Sequence, residues 1–299
     1  VILLVSIIVI GKGAVWLVDA AARVAKHFGI SELVIGLTVV AFGTSAPEFG
    51  VTILAAIRGM GDISVGNIVG SNIFNLGFIL GGTAIIHSLK TSRTIVFRDG
   101  IFLLFGGILL SVFLWDLTLS KIEGIVLFTL LIVYLLYLYV KKETIETEEP
   151  THAMYRWDPI LLFVGIGLVI VGSHFLVESA VSIARFMGVS DWVIGATIIA
   201  AGTSAPEFAT SLTAAMKSRY GMSVGNLIGS DIFNLFGVLG VAGMMRNLSV
   251  GHDAHINLII LSFMIAVVLI FMRTGWVVSR KEGIILVMIG LLRWIYSFS

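Results

Sequence analysis

The sequence predicts an all-α membrane protein with ten transmembrane helices, arranged as two inverted-topology five-helix repeats. Three observations predict this. Of 299 residues, 58% are hydrophobic and 12% charged, about half the charged share of an ordinary soluble domain, and the mean hydropathy is +1.07. Uncharged apolar runs long enough to cross a bilayer recur along the whole chain. A shift of 159 residues lays VIGLTVVAFGTSAPEF (34–49) on VIGATIIAAGTSAPEF (193–208) with 12 of 16 identical, and SVGNIVGSNIFNLGFILG (64–81) on SVGNLIGSDIFNLFGVLG (223–240) with 12 of 18 identical. An odd number of spans in each copy forces the copies into opposite orientations, the plan of many secondary transporters.

Cutting at charged or Gly/Pro-marked junctions places spans near 2–24, 31–58, 62–86, 99–115 and 121–140, then 158–185, 191–217, 222–245, 255–272 and 281–297. The first run extends too far for a cleavable signal and is read as a structural helix. The halves are therefore 1–140 and 158–299. Between them 141–157 is charged, contains Pro150 and lacks an apolar period, so it reads as a solvated linker. With the first loop inside, thirteen Lys and Arg residues fall on the cytoplasmic side and five outside. That bias puts both termini outside and the linker in the cytoplasm of a multi-pass cell-membrane protein. Trp115, Trp157, Trp192, Trp276 and Trp294 fall at span ends, where indoles prefer the interface. With no Cys and a net charge of +1, neither thiolate chemistry nor a nucleic-acid partner is expected. The lipid bilayer is the expected partner, with no protein partner evident.

The chemistry concentrates in the second, third, seventh and eighth spans. From Leu33 to Ile57 the only charge is Glu48, and from Trp192 to Met216 it is Glu207. A carboxylate at such depth costs at least about 2.5 kcal/mol, so each needs a cation, a proton or a water-filled cavity. Two of only four prolines, Pro47 and Pro206, stand just before these acids. A helical Pro leaves the carbonyl four residues back without a donor, here Gly43 or Gly202, and free backbone oxygens inside a membrane survive only around a cavity or ligand. The hydroxyls of Thr44, Ser45, Thr203 and Ser204 add oxygen beside each break; they also suit repair of a Pro kink. In the third and eighth spans Ser71 with Asn75, and Ser230 with Asn234, project from one helix face at i, i+4. Gly66 with Gly70, and Gly225 with Gly229, read as small pairs that let helix backbones approach closely. His174, mid-span, reads as packing or a polar tie. Asp19 and Glu178, equivalent acids near the ends of the first and sixth spans, read as interfacial scaffold. The inventory is hard oxygen, which suits Ca²⁺ and Na⁺ and does not suit zinc or copper.

Two copies of GTSAPE followed by GNxxGSxIFN resemble the alpha repeats of the Ca²⁺/cation antiporter superfamily, in particular its prokaryotic Na⁺/Ca²⁺ exchangers. The resemblance covers all ten spans in outline and the four motif spans closely. It implies that Glu48 and Glu207, with the main-chain oxygens of Thr44 and Thr203, hold Ca²⁺. It implies Na⁺ sites completed by Ser45, Ser71, Ser204, Ser230 and the carbonyls of Ala41 and Ala200, with the motif asparagine positions Asn75 and Asn234 beside them. The implied activity is exchange of Ca²⁺ for Na⁺ by alternating access at the midplane, the first and sixth spans sliding against the rest, with transported ions and no cofactor. One departure stands out. Some relatives carry Asp where this chain has Asn234, while its acid, Asp231, lies three residues earlier, opposite Asn72 and about 60° around the helix. Two readings of Asp231 stand: a titratable or cation-binding group at the cavity, and a hydrogen-bonded acid between helices.

The alternative function is H⁺/Ca²⁺ exchange on the same scaffold. In that branch an acid follows the motif as GNxxE, whereas here GN is followed by IVGSN or LIGSD. A remote enzymatic alternative is an intramembrane aspartyl protease, because 59–62 spells GMGD; its chemistry needs a second facing Asp, and the repeat equivalent of Asp62 is Gly221. Two carboxylates balance one Ca²⁺, and the surplus neutral oxygens suit Na⁺ rather than protons, so Na⁺ is the expected driving ion.

Overall fold

The computed structural model describes residues 2–141, 153–188 and 200–296. Most of the linker and the start of the seventh span, 191–199 with Trp192, lie outside the described residues. The helices are α1 (Ile2–Phe28), α2 (Glu32–Thr44), α3 (Ala46–Ile57), α4 (Gly61–Ile86), α5 (Ile95–Asp116), α6 (Lys121–Val140), α7 (Asp158–Phe186), α8 (Ala200–Thr203), α9 (Ala205–Met216), α10 (Tyr220–Met245), α11 (Asp253–Arg273) and α12 (Arg280–Tyr296). By length and composition seven of these are suited to crossing a membrane, or eight when the bent pair α2 and α3 counts as one span. At 17 residues, α12 is shorter than these.

Burial is distributed as a bilayer requires. Val5, Ile8, Phe163, Ile259, Phe263 and Leu292 are exposed on helix surfaces, while Glu48, Asn72, Asn75, Glu207, Asp231 and Asn234 are fully buried. In water the first group would be a costly apolar surface; in lipid it is the solvated one. Trp115 and Trp157, at helix ends, are exposed.

The chain divides into two compact units that do not coincide with the two sequence halves: 1–47 with 143–226, and 48–142 with 227–299. In the first unit α1 runs along α7, burying Ala14, Leu17, Val18, Ala21, Ala22 and Ala25 on one stripe. Arg23 on α1 grips Asp158 at the start of α7 with two parallel bonds of 2.9 and 2.7 Å, the bidentate pairing that guanidinium geometry favours. Lys217 reaches Asp19 at 2.6 Å, and Arg219 pairs with Glu32.

In the second unit small features recur at the same shift of 159. Strand β1 (Leu89–Lys90) pairs antiparallel with β4 (Val277–Val278), and β2 (Thr118–Leu119) with β3 (Leu248–Ser249). The shift carries Leu89 onto Leu248 and Thr118 onto Val277, so one ladder is the other with its strands exchanged. A capping box opens α6, where Ser120 and Glu123 bond each other's backbone N–H, and Ser279 with Glu282 does the same for α12. A Cβ on Gly124 would stand 2.8 Å from the carbonyl oxygen of Gly240, and one on its equivalent Gly283 would stand 2.6 Å from that of Gly81. Only glycine permits both approaches.

Candidate ion-binding site

The site begins with a break in the helix. At Ser45 the backbone leaves helical geometry (φ −78°, ψ 7°), and α2 and α3 meet at a bend of 51°. At the equivalent Ser204, between α8 and α9, φ is −89° and ψ 9°. Pro47 and Pro206 therefore occupy the first turn of a new helix, where a missing N–H costs nothing, rather than the interior of a kinked one. Each acid follows directly, so Glu48 and Glu207 sit in the first turns of α3 and α9. The unpaired N–H groups there carry a partial positive charge that stabilises an anion by about 0.3–2 kcal/mol. This offsets part of the cost of burying each carboxylate.

A second irregularity flanks the first. Gly36–Val40 on α2, Asn75–Leu80 on α4 and Phe233–Val238 on α10 are π-helical. Such turns lengthen the backbone hydrogen-bond ring and are frequent at functional sites.

In the first unit, Ser45 Oγ donates to Glu207 Oε1 at 3.1 Å, and both are buried. Thr44 Oγ1 lies 3.2 Å from Asn226 Oδ1, whose Nδ2 donates to Ser211 Oγ at 2.9 Å. The Ala41 carbonyl accepts from the Ser45 N–H at 3.0 Å and is approached by Thr44 Oγ1 at 3.3 Å. Ser204 is fully buried, Thr203 is half-buried and Ala200 is helical.

In the second unit, Glu48 is fully buried. Asn67 Nδ2 donates to Thr52 Oγ1 at 2.9 Å and lies 3.4 Å from the Glu48 carbonyl. Ser71, Asn72, Asn75, Ser230, Asp231 and Asn234 are buried, and four of them interlock. Asn75 Nδ2 donates to Asp231 Oδ1 at 2.9 Å, Asn234 Nδ2 to Asn72 Oδ1 at 3.0 Å, and Asn72 Nδ2 to the Asp231 carbonyl at 3.1 Å. The side-chain oxygens of Asn75 and Asn234, equivalent in the two copies, are buried and accept no hydrogen bond from the described residues. A buried carbonyl oxygen in that condition costs about 1–3 kcal/mol, which a bound cation would recover.

Asn67 and Asn226 belong to this inventory although sequence reasoning did not single them out. Each ties a motif helix to the helix of the acid: Asn67 through Thr52, and Asn226 through Ser211. The signal was present, because both are the Asn of GN at the same place in each repeat. Among the described residues no atom lies within 4 Å of where the Cβ atoms of Gly66 and Gly70 would stand, while Trp192 and Ala196, the repeat equivalents of the Leu33 and Leu37 that face Gly225, lie outside the described residues. Gly225 does pack closely, 2.7 Å from the Leu33 carbonyl oxygen by the same measure. Asp62 accepts from the Gly251 N–H at 2.6 Å, and it lines a cavity of about 280 Å³ together with Asp253, Asn257 and Arg293. His174 is exposed and lies 3.5 Å from Glu178, a polar tie.

The family model described as sodium/calcium exchanger protein matches residues 1–140 and 157–294. The sodium/calcium exchanger MaX1 of Methanosarcina acetivorans is 33% identical over 96% of this chain and 95% of its own length. The inner membrane protein YrbG of Escherichia coli is 32% identical over 94% of this chain and 90% of its own. Among solved structures, the sodium-calcium exchanger NCX_Mj soaked with zero Na⁺ and Ca²⁺ superposes with a TM-score of 0.88 at 32% identity, covering 100% of this chain and 98% of that one.

Proposed function

The chain belongs to the sodium/calcium exchanger protein family, a family of membrane transporters, and from that premise we propose that it exchanges Ca²⁺ for Na⁺ by alternating access. The observation that carries this reading is the matched pair of half-helices. At Ser45 and at Ser204 the same backbone break is followed three residues later by a buried carboxylate in the first turn of a new helix. Discontinuous helices with ligands at their broken ends are how transporters bind ions inside the membrane.

In this proposal Glu48 and Glu207, with the main-chain oxygens of Thr44 and Thr203, hold Ca²⁺, an ion that takes six to eight hard oxygens. Ser45, Ser71, Ser204, Ser230, the carbonyls of Ala41 and Ala200, and the side-chain oxygens of Asn75 and Asn234 form the Na⁺ sites. Two carboxylates neutralise one Ca²⁺, and replacing it takes at least two monovalent ions. The ten spans form two inverted repeats, 1–140 and 158–299, with both termini outside and 141–157 in the cytoplasm. The exchanged ladders and repeated capping boxes support the duplication. H⁺/Ca²⁺ exchange is the less favoured reading, because Asn75 and Asn234 are neutral and most of the oxygens do not titrate.

The test is Ca²⁺ uptake by the purified protein in proteoliposomes. An outward Na⁺ gradient should drive uptake, a pH gradient in Na⁺-free vesicles should not, and acid should inhibit. Robust uptake driven by the pH gradient alone would overturn the choice of coupling ion.

A further inference from the structure

The two orphan oxygens, on Asn75 and Asn234, pose a question the ligand inventory leaves open: what keeps two buried amides facing one way? A primary amide is nearly symmetric in shape. Rotated by half a turn, each would present its NH₂ group, two donors, where its oxygen now stands. Near a cation the rotated form is repulsive.

The answer converges on Asp231. Its carboxylate Oδ1 accepts from Nδ2 of the Asn75 amide at 2.9 Å. The rotated amide would set Oδ1 against a carboxylate oxygen. The main-chain carbonyl of the same residue takes Nδ2 of Asn72 at 3.1 Å. That fixes Asn72 with its Oδ1 turned to receive Nδ2 of Asn234 at 3.0 Å. One residue thereby orients both amides: Asn75 through its side chain, and Asn234 through its backbone and Asn72. All four side chains are fully buried, so water offers no competing partner.

The repeat shows what is special here. Asn75 is equivalent to Asn234, and Asp231 to Asn72, so the bonds from Asn75 to Asp231 and from Asn234 to Asn72 are the same bond in the two copies, made once to a carboxylate and once to an amide. We propose that Asp231 is a positioning residue for ion exchange, holding the oxygens of Asn75 and Asn234 toward the transported cation. This resolves the two sequence readings in favour of the hydrogen-bonded acid and rests on the exchange reading above. Because Asn75 and Asn234 belong to the Na⁺ ligands and the glutamates hold Ca²⁺, losing the orientation weakens Na⁺ more than Ca²⁺.

The experiment measures Na⁺ and Ca²⁺ half-saturation in proteoliposomes for the wild type, D231N, D231L, N72L and the exchange variant N72D/D231N. Asn at 231 can accept from Asn75 through Oδ1 and donate to the main chain at 72 through Nδ2, making the two copies alike. D231N and N72D/D231N should therefore stay within about threefold of wild type in Na⁺ half-saturation. D231L frees the Asn75 amide, and N72L frees that of Asn234; each should raise Na⁺ half-saturation by about tenfold or more, with a smaller change for Ca²⁺. If D231N loses Na⁺ affinity as severely as D231L, the carboxylate itself binds the ion and the proposal fails. It also fails if N72L, which leaves Asp231 intact, is silent, or if both ions weaken equally. N72L and D231N keep the test decisive should D231L not fold. A wild type without Na⁺-driven uptake would instead overturn the exchange reading, before any variant is compared.

Discussion

The two GNxxGS helices carry nearly the same residues and live in different surroundings. On α10, Gly225 is pressed against α2, where a Cβ would stand 2.7 Å from the Leu33 carbonyl oxygen and 3.3 Å from the Leu37 nitrogen. On α4, the equivalent Gly66 has no described atom within 4 Å of that position and lines the 280 Å³ cavity. The contrast teaches that this motif fits both a packed and an open environment.

The first way to break the comparison is to remove the acid from each copy in turn. E48Q and E207Q should each abolish Na⁺-driven Ca²⁺ uptake while leaving a folded, extractable protein, since in the proposed site each carboxylate supplies half the charge that neutralises Ca²⁺. Near-normal flux from either would show that the copies contribute unequally and that the ligand assignment is wrong.

The glycines sharpen it. G225A places a methyl group against backbone, which cannot yield cheaply, and should lower thermal stability by about 1–3 kcal/mol. G66A should melt like wild type, because its methyl group meets no described atom within 4 Å. Equal melting losses for the two would show that the open environment of Gly66 is not a property of the protein in solution.

P47A and P206A should have an intermediate effect. An N–H at either position gains the option of bonding the carbonyl of Gly43 or Gly202 and continuing the helix across the break. Ion affinity should fall several-fold, roughly what one added hydrogen bond of about 1 kcal/mol implies. A sharp fall in stability with unchanged affinity would assign the prolines to folding alone.

The smallest effect is expected where the copies differ at the surface. Lys217 and Asp19 form a pair about one-third exposed, whereas Glu178, the equivalent of Asp19, faces His174 and is largely exposed. Exposed pairs contribute at most about 1 kcal/mol, so K217A should shift stability by less than that in a thermal melt.

Much of this was legible in the sequence because charge in a membrane is conspicuous. Glu48 and Glu207 stand alone in their spans, and both are fully buried as expected. The breaks at Ser45 and Ser204 follow from proline chemistry, although the sequence suggested a kink inside one helix where the structure starts a second. The π-helical turns could not be read, because a longer hydrogen-bond ring has no residue type of its own. The small-pair expectation at Gly66 and Gly70 meets no partner among the described residues, because close approach depends on the facing helix, which a local motif does not specify. Asp231 stayed divided between two readings because its partners, Asn72 and Asn75, lie more than 150 residues away in the chain.

The π-helical turns have a consequence for inheritance. Each accommodates one more residue than a regular turn, so a single deletion within Asn75–Leu80 can be absorbed by closing the wide turn to a regular one, with the helix beyond kept in place. The same deletion in the regular stretch that follows, Gly81–Ile86, has no such slack. It would turn everything beyond it by about 100° and draw it back about 1.5 Å, and Leu89 would leave its partner Val278. Drift in length is therefore open within 75–80 and closed just beyond it. Descendants of this chain should differ by one residue there before they differ in length anywhere else in α4.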